Sequence, residues 1–241
     1  MKKLHEIFGG IFAKKTEPAS TDEPFRPASD QMAAEDSGDT ELQEEAKITE
    51  PLIMISGRTV PEICGDFELQ EEAKTHLNGQ PAPHEFVDRL LRAKLYADAI
   101  RFLAYALPKR QAVWWACLSV RSVPVCYGDQ ISAETLQAAE TWVKDASEPN
   151  REAALEAGNK HKFEMPTAPA GWTAMAAGWS GGAVKTTDEN VPAPPEHLTA
   201  HAASGAILLV ATAEPDQAKE LYRKFLETGV QIAQGKMQIS S

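Results

Sequence analysis

Two histidines in this chain have the spacing of metal ligands. His197 and His201 lie four residues apart at the start of an apolar segment, so both imidazoles would share one face of a helix and could bind a metal ion. Glu196 precedes the pair, but no third ligand is apparent nearby, and the Glu that directly follows the first His in zinc peptidases is absent. We therefore expect hydrogen-bonded histidines with no metal and no cofactor. A metal-dependent enzyme that uses the pair is the alternative hypothesis.

Cys117 is the candidate for a catalytic thiol. It lies in an apolar stretch, where a cysteine is more typical of packing than of nucleophilic chemistry. The other two cysteines are Cys64 and Cys126, and no pair has C-x-x-C spacing. This usage is typical of reduced, buried thiols in a cytoplasmic protein. A thiol enzyme that uses Cys117 is a second form of the alternative hypothesis.

Other catalytic motifs are absent from the sequence. The chain has no nucleophile elbow of the serine hydrolases, no phosphate-binding glycine loop and no dinucleotide fingerprint. The run Ser180-Gly181-Gly182 is short and no Lys follows it, so it indicates a helix end. The sequence therefore gives no argument for an enzyme.

Lys109 and Arg110 stand where local electrostatics does not favour them. They follow Pro108, which suits a helix start, so both cations fall in a first turn that already carries partial positive charge. Either the two side chains are exposed or pair with a carboxylate elsewhere in this acidic chain, or they are held for an external anionic partner such as an acidic protein surface. The second interpretation predicts a partner-binding groove, to which we assign Lys109, Arg110, Trp114, Trp115, Arg121, Trp172 and Trp179.

The helix that follows Pro108 must position this groove. Apolar residues recur at helical spacing through Val120, with no internal Gly or Pro. Trp114 and Trp115 are adjacent, so their side chains point about 100° apart on a helix. We expect one indole to enter the core and the other to cover a second helix or to line the groove. A further short helix is expected to place Trp172 and Trp179, seven residues apart, on one face.

The remaining folded region is also predicted to be helical, because no useful length of sequence alternates between polar and apolar residues. We predict an all-α fold over residues 53–241, an irregular bundle of paired antiparallel helices. Three local details are expected: Ser132 caps a helix, another helix stops at Gly158, and residues 161–170 form a loop.

Residues 1–52 are predicted to form a disordered acidic arm ahead of this domain. From about residue 16 to residue 50 the chain is rich in Glu, Asp, Ser, Thr and Pro and poor in aromatic residues, so burial cannot offset the entropy of ordering. The first residues carry an apolar stripe at helical spacing. This stripe is either a frayed end without a role, or an anchor that contacts a partner's groove or a membrane surface through Leu4, Ile7, Phe8, Ile11 and Phe12.

One seven-residue sequence occurs twice. Glu-Leu-Gln-Glu-Glu-Ala-Lys stands at residues 41–47 and again at residues 68–74. Seven identical residues indicate a local duplication. The second copy is expected to form a short helix on the domain. The first copy is either a neutral duplication in a permissive linker or a mimic that competes for the same docking site.

Composition narrows the classes of partner. The net charge of -11 and the pI near 5.1 argue against nucleic acid or an anionic membrane as principal partner. The apolar stretch at the N-terminus is broken by Glu6 and by Gly9-Gly10, so we do not expect an export signal. The apolar run at residues 202–213 is shorter than the roughly 20 residues that span a bilayer. We expect a cytoplasmic protein without stable membrane insertion whose partner is another protein, and the oligomeric state is left open.

The stretch Ala-Leu-Pro-Lys-Arg-Gln-Ala-Val-Trp-Trp-Ala-Cys at residues 106–117 resembles the signature of an uncharacterised bacterial domain family. Segments 96–104, 179–182 and 194–200 support the resemblance, which covers residues 58–235. It implies an association with gene clusters for type VI secretion, and hence an adaptor, a chaperone-like protein or another accessory protein. It supplies no catalytic residue. The sequence thus predicts a non-enzymatic protein–protein interaction module.

Overall fold

The computed structural model describes residues 47–55, 57–164, 168–181 and 194–239. These residues form ten α-helices and three short 3-10 helices and contain no strand, so the predicted all-α fold is confirmed for this part of the chain. Most of the predicted arm lies outside the described residues. This includes the proposed anchor, namely Leu4, Ile7, Phe8, Ile11 and Phe12, and all but the last residue of the first Glu-Leu-Gln-Glu-Glu-Ala-Lys copy.

The helices alternate with short connections along the chain. In chain order they are α1 (Val60–Cys64), α2 (Glu71–Lys74), α3 (Pro83–Arg92), α4 (Tyr96–Ala106), α5 (Lys109–Arg121), α6 (Gln130–Lys144), α7 (Glu148–Glu164), α8 (Pro169–Gly178), α9 (Leu198–Ala211) and α10 (Ala218–Ala233). The second copy of the duplicated sequence contains α2, so the short helix predicted there is present. No helix in the described ranges combines the length and the apolar character that a bilayer span requires.

Helices α5 and α9 lie at the centre of the fold. Helix α9 packs against α4, α5, α8 and α10, and α5 packs against α6, α8 and α9. Helix α9 contains no Asp, Glu, Lys or Arg, as expected for a helix that is covered on most sides. Neighbours in sequence also pair, as α3 does with α4 and α7 with α8. The helix that the sequence placed after Pro108 is therefore central to the core.

Two predictions about α7 are wrong. Gly158 does not end this helix but lies inside it, and a Cβ atom at Gly158 would stand 2.9 Å from the backbone N of Met175 on α8. The glycine therefore serves the close approach of two helices. The loop expected at residues 161–170 is also absent at both of its ends, because α7 continues to Glu164 and α8 begins at Pro169.

Helix α6 is capped by Asp129 and not by Ser132. Asp129 Oδ1 accepts the backbone N–H of Ser132 at 2.9 Å, and hydrogen bonds from the side chain and backbone of Ser132 lower the pKa of the Asp129 carboxyl. Ser132 lies inside the helix and is buried, with Oγ 2.9 Å from His161 Nε2. Asp and Ser both favour capping positions, so the spacing alone does not decide between them.

The chain packs on the domain before residue 53, although the boundary between arm and domain stays a prediction. Leu52 is 4% exposed and belongs to the hydrophobic core. The backbone N–H of Ile48 donates to Asp88 Oδ1 at 3.0 Å, and Lys236 Nζ lies 2.8 Å from Glu50 Oε2. Residues 47–52 therefore contribute contacts to the domain.

This gives a prediction for two truncations. Removal of residues 1–46 is expected to leave the free energy of unfolding nearly unchanged, whereas removal of residues 1–52 is expected to lower it by about 2–5 kcal/mol, the usual loss for a large buried aliphatic side chain. Chemical denaturation followed by circular dichroism measures both, and Leu52→Ala in the chain of residues 47–241 is the matched single change. Equal stability of the two truncated chains would show that residues 47–52 are dispensable.

Candidate functional site

Arg110 is held by groups inside the protein. Its Nε donates to the carbonyl of Val143 at 2.7 Å and its Nη2 to the carbonyl of Lys144 at 2.8 Å. These carbonyls end α6, where backbone acceptors lack intrahelical donors and a cation is favoured by the helix dipole. The charge that is unfavourable at the start of α5 is therefore favourable at the end of α6.

Lys109 makes weaker contacts within the protein than Arg110 does. Its Nζ donates to the carbonyl of Ser180 at 3.0 Å and lies 3.2 Å from Glu196 Oε2. The Glu196 side chain is 95% exposed, so this ion pair is solvated and contributes little to stability. Of the two interpretations offered above, pairing with a carboxylate elsewhere in the chain thus describes Lys109, but that carboxylate is one that solvent reaches.

Arg121 is also paired within the fold. Its Nε and Nη2 donate to the two carboxylate oxygens of Glu140 at 2.7 and 2.8 Å, and its guanidinium carbon lies 4.9 Å from the centre of the Tyr127 ring. Such a bidentate pair fixes the end of α5 against α6. Arg121 is therefore a structural contact in this structure.

The two adjacent tryptophans face different surroundings, as their spacing predicted. Trp115 is fully buried and its Nε1–H donates to the carbonyl of Phe225 at 2.9 Å, so it presents no surface to a partner. Trp114, Trp172 and Trp179 are half-buried and pack on the edge of the core. Trp115 therefore cannot line the expected groove, and a groove formed by the other assigned residues stays a prediction.

The two histidines of the alternative enzyme hypothesis are close enough to interact, since burial and, to a smaller extent, the charge of His197 lower the pKa of His201. His197 is the residue before α9, and His201 lies one turn later with its ring 6.3 Å from that of Trp172. Among the described residues no group of three or more His, Cys, Asp or Glu side chains could hold a metal ion. Cys117 is buried, and that burial, with a smaller contribution from the nearby Glu140, raises the pKa of its thiol. The thiolate, which is the nucleophilic form, is therefore disfavoured at Cys117.

A pocket of about 270 Å³ lies where α5 and α9 both begin. Its walls are the last turn of α4, the first turn of α5, the first turn of α9 and the segment before α1. We call it the α5/α9 pocket. The polar side chains that line it are Arg58, Asp66, Tyr105, Lys109, Glu196, His197 and Thr199.

Both helix starts at this pocket lack the usual caps. The capping positions are occupied by Pro108 for α5 and by His197 for α9, and neither side chain accepts a hydrogen bond from its helix. Neither first turn contains an acidic residue. The Leu198 N–H donates to the carbonyl of Pro195 at 3.0 Å, but the other first-turn N–H groups and the positive ends of two helix dipoles meet at one pocket, an arrangement that favours an anion.

The side chains of the pocket add to this preference. Arg58 Nη2 lies 2.6 Å from Asp66 Oδ2, and Lys109 stands at the first turn of α5. Thr199 is buried, and its Oγ1 has no hydrogen-bond partner in the described residues. Burial, with Asp66 as a smaller cause, raises the pKa of Tyr105 to about 12, so the Tyr105 hydroxyl keeps its proton at neutral pH. The pocket therefore offers donors to an anion.

The sequence indicates Lys109 and His197 as candidate site residues but does not indicate Arg58, Tyr105 and Thr199. The first two of these come from other parts of the chain, which only the fold brings to α9. Thr199 gave a weak signal in the sequence. The start of α9 has no Ser, Thr, Asp or Asn at the capping position, His197, and Thr199 lies two residues after it.

Comparison with known proteins gives one family. A model of a family of unknown function matches residues 86–233. This span begins within α3 and ends with α10, so it contains both helix starts of the α5/α9 pocket, while Arg58 lies before it. No curated protein and no solved structure significantly matches the chain.

Proposed function

The chain belongs to DUF6931, a family of unknown function, and we propose that it is a non-enzymatic interaction module whose α5/α9 pocket binds a carboxylate of an acidic segment of a partner protein. One observation carries this proposal. Two uncapped helix starts meet at a pocket that also contains Lys109 and the unpartnered hydroxyl of Thr199.

The position of Glu196 supports a carboxylate as ligand. Its Oε2 lies 3.2 Å from Lys109 Nζ although the side chain is 95% exposed. An exposed ion pair contributes between about 0 and 1 kcal/mol, so a partner's carboxylate can displace Glu196 at small cost. The partner's carboxylate would accept hydrogen bonds from the first-turn N–H groups of both helices. It would therefore gain more than the exposed Glu196 side chain gains from Lys109 alone.

The same residues give less support to the alternative, a metal-dependent or thiol enzyme. His197 lines the pocket but His201 does not, so the two imidazoles do not converge there. Cys117 is buried in the core and away from the pocket. A pocket that offers mainly hydrogen-bond donors is better suited to holding an anion than to activating a nucleophile.

We further propose that the chain is a bacterial, cytoplasmic adaptor or chaperone-like accessory protein of a type VI secretion system. The support is the resemblance of residues 106–117, and Lys109 belongs both to that stretch and to the pocket. The net charge of -11 opposes nucleic acid as principal partner, so binding of an acidic segment depends on the local positive potential of the α5/α9 pocket.

The test is a titration of the full ¹⁵N-labelled chain, observed through its backbone amides by NMR. The probe is an acetylated hexaglutamate peptide, and hexaglutamine of the same length is its control. We expect saturable shifts at the first-turn amides of α5 and α9 with hexaglutamate and none with hexaglutamine. Lys109→Gln should weaken binding about tenfold or more, because a hydrogen bond to a charged group contributes about 1.5–3 kcal/mol. Lys219→Gln, at an exposed lysine on α10, is the matched control and should change nothing.

Three outcomes would overturn the proposal. Equal shifts with both peptides, or no shift with either, would remove the carboxylate site. Shifts with inorganic phosphate but not with hexaglutamate would indicate a small-anion site instead of an interaction module. Arg110 is not mutated in this experiment. A Glu at this position would bring a negative charge to the carbonyls of Val143 and Lys144, which Arg110 now binds, and would destabilise the end of α6.

A further inference from the structure

The repeated sequence extends beyond the seven identical residues. Gly-Asp-x-Glu-Leu-Gln-Glu-Glu-Ala-Lys occurs at residues 38–47 and at residues 65–74, and nine of the ten positions are identical. The one difference is Thr40 in the first copy and Phe67 in the second. We call residues 38–47 copy 1 and residues 65–74 copy 2.

Copy 2 is bound to the fold through specific contacts. Leu69 and Ala73 are buried in the hydrophobic core, while the five Glu, Gln and Lys side chains of copy 2 are exposed. Its Asp66 pairs with Arg58 at 2.6 Å, and its Phe67 ring lies 4.9 Å from the ring of Tyr105. The surface that holds copy 2 is called the repeat site.

Copy 1 carries nearly all of these contact groups in the same order. Asp39 corresponds to the residue that pairs with Arg58, and Leu42 and Ala46 correspond to the two residues buried in the core. The backbone N–H of Gln70, which donates to Asp98 Oδ1 at 3.4 Å, has its counterpart at Gln43. Only the ring contact with Tyr105 would be lost.

We propose that copy 1 binds the repeat site of its own chain in exchange with copy 2. The path of the chain supports an exchange within one molecule. Copy 1 leads directly into Ile48, whose N–H is bound by Asp88 on α3 at 3.0 Å. Copy 2 leads to His76, whose carbonyl accepts from Arg89 on α3 at 3.0 Å. Ile48 after copy 1 and His76 after copy 2 are therefore both bound to α3, through Asp88 and Arg89.

The single difference between the copies sets which one dominates. Phe67 packs on Tyr105, and Thr40 has no ring to replace it, so copy 2 is the major occupant and copy 1 the minor one. Phe67→Thr makes the two copies equal at this position and is expected to raise the fraction of copy 1 bound.

The exchange also reaches the α5/α9 pocket. Tyr105 and Asp66 line that pocket, so displacement of copy 2 removes Asp66 from its wall and uncovers one side of the Tyr105 ring. Only this consequence rests on the proposed function. The exchange itself does not depend on what the pocket binds.

The first experiment is a double-mutant cycle on the full chain, read as the midpoint of thermal unfolding. Leu69→Ala weakens copy 2, and Leu42→Ala weakens copy 1. We expect Leu42→Ala alone to have no measurable effect and Leu69→Ala alone to lower the midpoint moderately. The double variant should fall by about 4 °C or more below Leu69→Ala, a shift that corresponds to losing a second buried leucine in a chain of this size. If the double variant has the same midpoint of thermal unfolding as Leu69→Ala alone, the proposal is overturned.

The second experiment detects the exchanged state directly. In a Phe67→Thr chain, Thr40→Cys and Tyr105→Cys should form a disulfide within one molecule under mild oxidation, as shown by peptide mapping. Thr21→Cys, which lies outside the repeat, replaces Thr40→Cys in the control and should give much less of the bond to residue 105. Disulfides between two molecules would assign the occupant to a second copy of the chain, and equal yields from both cysteines would show no specific binding. Either result contradicts the exchange proposed here.

Discussion

Replacing Trp115 by Ala is expected to lower the free energy of unfolding by about 3–5 kcal/mol, the range for truncating a large buried aromatic side chain. The indole is fully buried between α5 and α10, and its N–H satisfies the carbonyl of Phe225 at 2.9 Å. Removal of the ring leaves a cavity and takes away one donor to the Phe225 carbonyl. Gly229 already lets α10 approach the ring so closely that a Cβ atom there would stand 2.6 Å from Trp115 Cζ2. The site therefore has little means of collapsing.

The neighbouring tryptophan provides the control. Trp114→Ala removes the same number of atoms from a half-buried position, so we expect a loss of less than half that of Trp115→Ala. Trp115→Phe keeps most of the apolar volume and isolates the contribution of the indole N–H. Urea denaturation of the three variants measures the difference. Equal losses at the two positions would mean that the assignment of the core face of α5 is incorrect.

Replacing Gly178 by Ala is expected to lower the free energy of unfolding by about 1–3 kcal/mol, the usual cost of adding a methyl group to a tightly packed contact. A Cβ atom at Gly178 would stand 2.6 Å from Leu155 Cβ and 2.7 Å from Leu155 Cα on α7. The backbone atom cannot turn away, so α7 and α8 must move apart. This loss exceeds the roughly 0.5–1 kcal/mol that Ala gains over Gly in a helix.

A second glycine in the same region is the matched control. Gly181 has no atom within 4 Å of a built Cβ, and its φ is not in the left-handed region. Gly181→Ala should therefore leave the midpoint of thermal unfolding unchanged or raise it slightly. If Gly178→Ala and Gly181→Ala change the midpoint of thermal unfolding equally, the close packing of α7 on α8 is not as described.

Much of the helical architecture could be predicted because it depends on local periodicity. The helix after Pro108 and the division of Trp114 from Trp115 follow from the 3.6-residue repeat. The role of Gly158 did not follow, because a glycine inside a helix is indistinguishable in sequence from one that ends it. Which role applies depends on the helix that passes nearby, here α8 at Met175.

The candidate site was predictable only in part. The sequence shows that Arg110 stands at an unfavourable helix end, but not that the end of α6, more than 30 residues later, would accept it. The α5/α9 pocket joins Lys109 to Thr199, which are 90 residues apart in the chain. Neither local propensity nor spacing reports such convergence, since it depends on how the helices pack.

The central place of α9 has a consequence for the order of folding during synthesis. Helices α4, α5 and α8 are complete by residue 178, but each of them packs against α9, which ends at residue 211. Their apolar faces therefore stay exposed to solvent while the residues between α8 and the end of α9 are synthesised. The core forms only when α9 has been made. A nascent chain of this protein is expected to depend on chaperones over that interval, and chains cut before residue 198 should be degraded instead of accumulating.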